Sequence, residues 1–159
     1  MSKIGEQVFI PNYGAGVISS LEKGEIDKKN YDYVTIDFII SGMKFYIPIE
    51  RLNLYNIRKI SSKEMINKAL IIIEEDAKEI DDNWNRRYRK NKLKILTGDI
   101  LKTAEVIRDL QYIKKAELMP QGEEKILEEA EEMLASEIML VYNLKLETAF
   151  ELLKKSEQN

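Results

Sequence analysis

The segment MKFYIPIERLNLYNIRKISSKEMINKALIIIEE, residues 43–75, holds two different periodicities. Its opening, MKFYIP at residues 43–48, is short, aromatic and β-branched and closes on a proline, the composition of a strand. From Ser61 the apolar period lengthens from two to about 3.6. Ser61 and Glu64 form a capping-box pattern, in which each side chain satisfies an orphan backbone N–H, so a helix is expected from there to about Glu75. The chain thus changes class near residues 58–62, which divides it into a β segment at 1–60 and a helical segment at 61–159.

Upstream of the switch, QVFIP (7–11) predicts a strand closed by Pro11, and NYGAG (12–16) a turn. VISSLEK (17–23) predicts a second strand and GEIDKKN (24–30) a loop. In YDYVTIDFII (31–40), Tyr31, Tyr33, Thr35 and Asp37 alternate with Val34, Ile36 and Phe38, the period of a third strand. Ser41 and Gly42 make a reversal before MKFYIP, and LYNI (54–57) predicts a short fifth strand. Five short strands in about 55 residues suggest a small, strongly bent barrel of SH3 or Tudor type. A plain antiparallel meander carries the same signature.

Downstream, Asp82 or Asn83 can cap a second helix, and Asp99 a third that presents Ile100, Ala104, Ile107 and Leu110 on one side. Pro120 and Gly122 interrupt the pattern. A long helix follows with Leu127, Ala130, Leu134, Ile138 and Val141 in a stripe, then a last one with Leu146, Ala149, Phe150 and Leu153. The expected fold class is α+β: a small Tudor/SH3-like β-barrel followed by an all-helical bundle.

The 159 residues include no cysteine and no histidine. Thiolate chemistry is excluded, and the commonest general base and metal ligand are missing, so a binding protein without cofactor or metal is expected rather than an enzyme. A carboxylate-based nuclease stays open. The N-terminus, MSKIGEQVFI, has no signal-peptide pattern, and the longest apolar run, Ala69–Ile73, is too short for a membrane span. A soluble cytoplasmic protein is expected, with no membrane partner.

The net charge of −3 hides an asymmetry. Residues 82–115 hold ten Lys/Arg against four Asp/Glu, and residues 116–159 hold four against eleven. A basic centre beside an acidic flank points to a local polyanion contact. At its head lies DDNWNRRYRKNK (81–92), which contains the only tryptophan. A cap at Asp82 or Asn83 puts Trp84 in the first helical turn, where free N–H groups and the dipole favour a phosphate. Arg86, Arg87, Arg89 and Lys90 surround it on the next turn, and guanidinium groups can clamp phosphates. Trp84 there is shaped to stack on a base or to wedge into an open base step. Against this, Trp84 and Tyr88 at i,i+4 suit packing on a neighbouring helix, with the cations as a solvated face. Residue types alone leave the two readings even. The run Glu128, Glu129, Glu131, Glu132 is a solvated face by the same reasoning, not a metal cluster.

Several stretches together resemble the CarD/CdnL family of bacterial transcription regulators. These are IGEQVFIPNYGAGVI (4–18), with Ile10 where the family has Tyr, MKFYIPIE (43–50), NWNRRYRKN (83–91), LTGDILKTAEVIRDL (96–110) and GEEKILEEAEEML (122–134). The family's N-terminal domain is shared with the transcription-repair coupling factor, but 159 residues leave no room for a helicase and no Walker motif is present.

The resemblance implies docking on the RNA polymerase β subunit by the Tudor-like domain. It also implies contact of the helical domain with promoter DNA at the upstream edge of the transcription bubble. Trp84 would be a minor-groove wedge against bubble closure, and Arg86, Arg87, Arg89 and Lys90 would hold phosphates; the family often has Lys at the position of Arg89. Docking by strand addition is expected on the second and fourth strands, at Lys23, Gly24, Ile26, Lys44 and Tyr46. Some members carry an Arg on each of these strands, matched here by Gly24 and Tyr46, with Lys23 and Lys44 nearby as substitutes. Six net positive charges on one face would bind DNA only weakly alone and would depend on a second attachment to polymerase. A monomer is expected. The alternative is a recruitment module on polymerase with no direct DNA role.

Overall fold

The structure, a computed structural model, describes residues 3–116 and 119–154; the end of the expected helical segment, residues 155–159, lies outside the described residues. Five strands come first: β1 (Gln7–Ile10), β2 (Gly14–Ile26), β3 (Lys29–Phe38), β4 (Lys44–Pro48) and β5 (Arg58–Lys59), with a 3-10 helix at Ile49–Tyr55 between the last two. Five α-helices follow: α1 (Lys63–Glu74), α2 (Trp84–Leu96), α3 (Ile100–Lys115), α4 (Gln121–Tyr142) and α5 (Leu146–Leu152). The class is α+β, with a β half followed by a helical half.

The strands form one antiparallel sheet in the order β4-β3-β2-β1-β5. A bulge between Ile18 and Ser20 bends β2, which lets its first residues pair with β1 and its whole outer length with β3. The bent sheet encloses Val8, Ile10, Ile18, Val34, Ile36, Phe38 and Ile47, and Leu52 of the 3-10 helix closes the end. This is the alternation expected for β3, with Val34, Ile36 and Phe38 inward.

Three local expectations change. GEIDKKN is not a loop: β2 runs to Ile26, and the chain reverses at Asp27 and Lys28, with φ of 50° and 64°. Two positive φ values are the geometry of a two-residue hairpin turn whose twist matches the strands, so a tight hairpin forms without Asn-Gly. In NYGAG, the last three residues already belong to β2. LYNI is no strand either. It spans the end of the 3-10 helix and Asn56, and the fifth strand pairs later, through Arg58 and Lys59 with Phe9 and Val8.

The helix starts follow their caps. Asn83 caps α2 and Asp99 caps α3, accepting from the N–H of Leu101. On α1 the cap is Ser62, not Ser61: its Oγ accepts the Met65 N–H at 3.2 Å. Ser61 is used elsewhere, donating its N–H to Glu137 Oε1 at 2.9 Å. Gly122 lies inside the first turn of α4, after the Pro120 N-cap. The anticipated stripes Ile100, Ala104, Ile107, Leu110 and Leu127, Ala130, Leu134, Ile138 are buried together.

Phe9 and Ala15 of the β half belong to the helical core, so the halves are packed as one unit. Two polar contacts pin the join. The Ala15 N–H donates to Ser136 Oγ at 2.9 Å. The Arg58 guanidinium stacks 4.1 Å over the Phe9 ring, donates to Gly98 O at 2.8 Å, and forks onto the Glu137 carboxylate at 2.7 and 3.0 Å. Glu137 is buried, and among the described residues this fork and the Ser61 N–H make its charge tolerable there. Among the described residues no helix is long and apolar enough to cross a membrane.

Candidate nucleic-acid interface

Trp84 is the first residue of α2, and the Asn83 side chain accepts the Arg86 N–H at 3.0 Å to fix that start. Helical spacing puts Trp84 one turn beyond Tyr88, Asn91 and Ile95, the residues by which α2 packs. Trp84 itself stays 52% exposed, outside the apolar core. Its i+4 neighbour behaves differently: Tyr88 is half-buried against the helical core and lies over Gly122 at the start of α4. The two rings, alike in sequence context, therefore separate into one anchor and one free aromatic surface.

The cations also separate. Arg86 donates to Asp81 through Nε and, at 2.8 Å, through Nη2, and Lys90 lies 3.8 Å from the same carboxylate. The Arg86 hydrogen bonds and then the Asn83 N–H hold the Asp81 carboxyl well below the usual carboxylate range, and Asp81 in turn raises the Arg86 pKa. The anion at this helix start is thus the chain's own Asp81, where a phosphate was expected. Arg89 is exposed and forms no ion pair or side-chain hydrogen bond among the described residues.

Arg87 is turned inward. Its side chain is 13% exposed and forks onto Glu123, itself buried, through Nε and, at 2.7 Å, Nη2. Its Nη1 donates to the Asp81 carbonyl at 2.8 Å. The hydrogen bonds to Glu123 hold its pKa above the ordinary arginine value. With its donors occupied inside the protein, Arg87 is not oriented to clamp a phosphate.

Further along, Lys92 pairs with Glu129 at 3.4 Å and Lys94 with Glu105 at 2.9 Å, and buried Arg108 pairs with Asp109 and Glu75. The basic stretch is therefore not six unspent charges on one face. Its exposed positive surface on the first half of α2 consists of Arg89, with Arg86 and Lys90 beside Asp81. Of the glutamate run, Glu128 and Glu132 are exposed, and burial raises the pKa of Glu131. Among the described residues no group of acidic side chains is arranged to hold a metal.

On the β half, β4 is an edge strand, and β2 beyond Ser20 pairs only with β3. Both have a backbone edge open to strand addition. Register puts Gly24, Lys44 and Tyr46 on one face of the sheet, through Tyr31, Asp37 and Thr35 of β3. Tyr46 is 65% exposed there. Lys23 pairs with Asp32 on the opposite face and lines an open groove with Asn30, Ile49 and Glu50. Lys23 therefore does not substitute on the face of Gly24, whereas Lys44 does share the face of Tyr46. Gly24 has a local reason: a Cβ there would lie 2.7 Å from the Tyr33 ring. Ile26 is the last residue of β2, opposite Lys29, and its side chain lies outside the described residues.

Glu123 at the site, and Arg58, Ser136 and Glu137 at the join of the two halves, escaped the sequence reading. A trace existed for two of them. Ser136 and Glu137 interrupt an apolar run, Met133 to Leu140, at positions a buried helix would fill with apolar side chains.

Comparison with known proteins joins these observations. Residues 3–61 match the family model described as CarD-like/TRCF RID domain, and residues 68–154 match CarD, C-terminal domain. The chain is 33% identical over 141 residues to "Putative transcription factor YdeB" of Bacillus subtilis (strain 168), covering 89% of this chain and 92% of that protein. Two models in the family's order, and a relative that spans most of both chains, show that the chain belongs to the CarD family of transcription regulators.

Proposed function

We propose that this regulator binds the RNA polymerase β subunit through its β half and stabilises the open promoter complex with Trp84 at the upstream edge of the bubble. The observation that carries this reading is the exposed Trp84 at the first position of a capped helix, with Arg86, Arg89 and Lys90 exposed on the next turns of the same helix. An indole in that position needs no sequence readout. It has only to favour an unstacked junction over closed duplex, and a difference of about 1.4 kcal/mol changes that equilibrium tenfold. Few free cations mean weak, salt-sensitive DNA binding alone. Tethering to polymerase raises the local concentration of Trp84 at the promoter. The open edges of β4 and outer β2, with Lys44 and Tyr46, suit strand addition to a polymerase segment. Gly24 gives the shared face a flat point, and Ile26 marks the hairpin end of the same edge.

The test compares open-complex lifetimes on one promoter with cognate polymerase, for wild type and Trp84→Ala. The expected result is a longer lifetime with wild type, lost in the variant, with the circular dichroism spectrum unchanged. Since Trp84 lies outside the core, its removal should alter stability by no more than about 1 kcal/mol. Equal lifetimes with both proteins, despite polymerase binding, would end the wedge reading.

One observation favours a second reading, a polymerase recruitment module without a DNA role: most cations of the basic stretch are paired with internal carboxylates. On that reading, charge reversal of Arg89 and Lys90 together leaves every DNA-dependent assay unchanged. On the wedge reading it shortens the open-complex lifetime.

A further inference from the structure

We infer that Arg87 and Glu123 form a positioning pair that fixes the direction of Trp84, and that Arg87 does not contact DNA. This deepens the proposed function and, for its polymerase-dependent consequences, rests on it.

The pair fixes the helix start on which Trp84 stands. Arg87 is three residues after Trp84, one turn along α2. Its fork reaches Glu123 in the first turn of α4, and its remaining nitrogen reaches the Asp81 carbonyl ahead of the α2 cap. One guanidinium therefore ties together the segment entering α2, the first turn of α2 and the start of α4. Tyr88, packed over Gly122, supports the same junction from the adjacent position. Among the described residues Trp84 is not part of the apolar core, so the polar ties of Arg87 add to Tyr88 in fixing its helix start. Glu123 also sits at a helix N-terminus, where the dipole favours its negative charge. A buried carboxylate is costly unless its partner is held in good geometry, so the guanidinium orientation is strongly preferred.

The alternative role, a phosphate clamp, makes an opposite prediction. Glu123→Gln removes a negative charge and loosens Arg87, so the face around Trp84 becomes more positive. A clamp would then be freed and the open complex would last longer, since added positive charge strengthens phosphate binding. A positioning pair would be lost and the open complex would last a shorter time.

Trp84 is the only tryptophan, so its own fluorescence reports the outcome without a label. The experiment measures Trp84 anisotropy in the free full chain, then open-complex lifetime with polymerase, for wild type, Glu123→Gln and Arg87→Lys. Arg87→Lys keeps the charge but not the fork. Expected are lower Trp84 anisotropy in both variants with unchanged helical circular dichroism, and a severalfold shorter lifetime. The swapped pair Arg87→Glu with Glu123→Arg should recover part of the anisotropy. Unchanged anisotropy in both single variants overturns the inference, whatever becomes of the wedge reading. A longer lifetime with Glu123→Gln overturns it in favour of the clamp. Lower anisotropy in a protein whose Trp84→Ala variant behaves as wild type on promoters supports the pair but removes the wedge. Should Glu123→Gln lose helical signal, Arg87→Lys alone decides by the same anisotropy.

Discussion

The two ends of α4 each hold a buried glutamate against an arginine from another element. Near its C-terminal end Glu137 holds Arg58, and near its N-terminal end Glu123 holds Arg87. The chemistry is the same, but the surroundings are not. Glu137 also receives the Ser61 N–H, and Arg58 also reaches Gly98 and stacks on Phe9, so that pair joins β5, the start of α1, the α2–α3 turn and β1. Among the described residues the Glu123 carboxylate receives only Arg87, whose other bond is to the segment just before its own helix. One pair sets how the β half sits on the helical half. The other sets where a single exposed ring points. Fourteen residues of helix separate the two glutamates, about 21 Å along α4, so the helix relates the sheet edges to Trp84 as a rigid strut.

The largest expected effect tests the first end. Arg58→Ala leaves the Glu137 carboxylate buried with one N–H partner, and denaturant unfolding should report a loss of about 3 kcal/mol, the lower end for a broken buried pair because Arg58 is partly exposed. A loss under about 1 kcal/mol would mean the join tolerates a free charge and the comparison fails. Next is Gly98→Ala. Gly98 has φ of +73°, and a Cβ there would lie 2.8 Å from the Pro11 ring. Left-handed backbone and the clash together should cost about 2 kcal/mol in thermal or chemical unfolding. The matching glycine at the other end behaves oppositely. Gly122 is helical, and a Cβ meets Tyr88 only at an ordinary 3.6 Å. Gly122→Ala should stabilise by about 0.5 kcal/mol, as a glycine removed from a helix does. A destabilising result would show that Tyr88 needs that space.

The smallest effect is local and depends on pH. Asp81 is an acid whose folded pKa is depressed, so its contribution is complete above the unfolded value near 4 and is lost as pH falls below that value toward the folded one. Wild-type stability in denaturant unfolding should therefore begin to fall relative to Asp81→Asn as pH drops below about 4, while Trp84 emission of the folded wild type changes only as pH nears the lower folded value. Identical acid profiles would remove Asp81 from the Trp84 support.

Much of the fold is legible in residues 43–75 and the capping positions, because strands and helices differ in period and caps are local chemistry. Asn83 and Asp99 cap as expected for that reason. Ser61 misled because either serine can accept an N-cap hydrogen bond locally, and it is Glu137, far along the chain, that takes the Ser61 N–H. The Asp27–Lys28 reversal was hidden because residues that adopt positive φ there carry no glycine signal. The 3-10 helix at Ile49–Tyr55 has an apolar pattern too short to tell from a strand.

At the candidate site, the capping residue and the run DDNWNRRYRKNK located the only tryptophan, the helix that begins there and the cations that follow it. They did not rank those cations. Arg86, Arg87 and Arg89 are the same residue within four positions; helical spacing sets Arg87 on the side of Tyr88 and Asn91, but nothing local names the carboxylate that receives it. That choice was made when α4 packed on α2 and brought Glu123 under Arg87, leaving Arg89 in solvent. A buried carboxylate must find a partner, and the partner is whichever cation the helix crossing presents. The sequence by itself determined that a tryptophan and a set of arginines would share a helix start; only the tertiary structure decided which of them pairs with a buried carboxylate, because burial and charge pairing depend on neighbours distant in the chain.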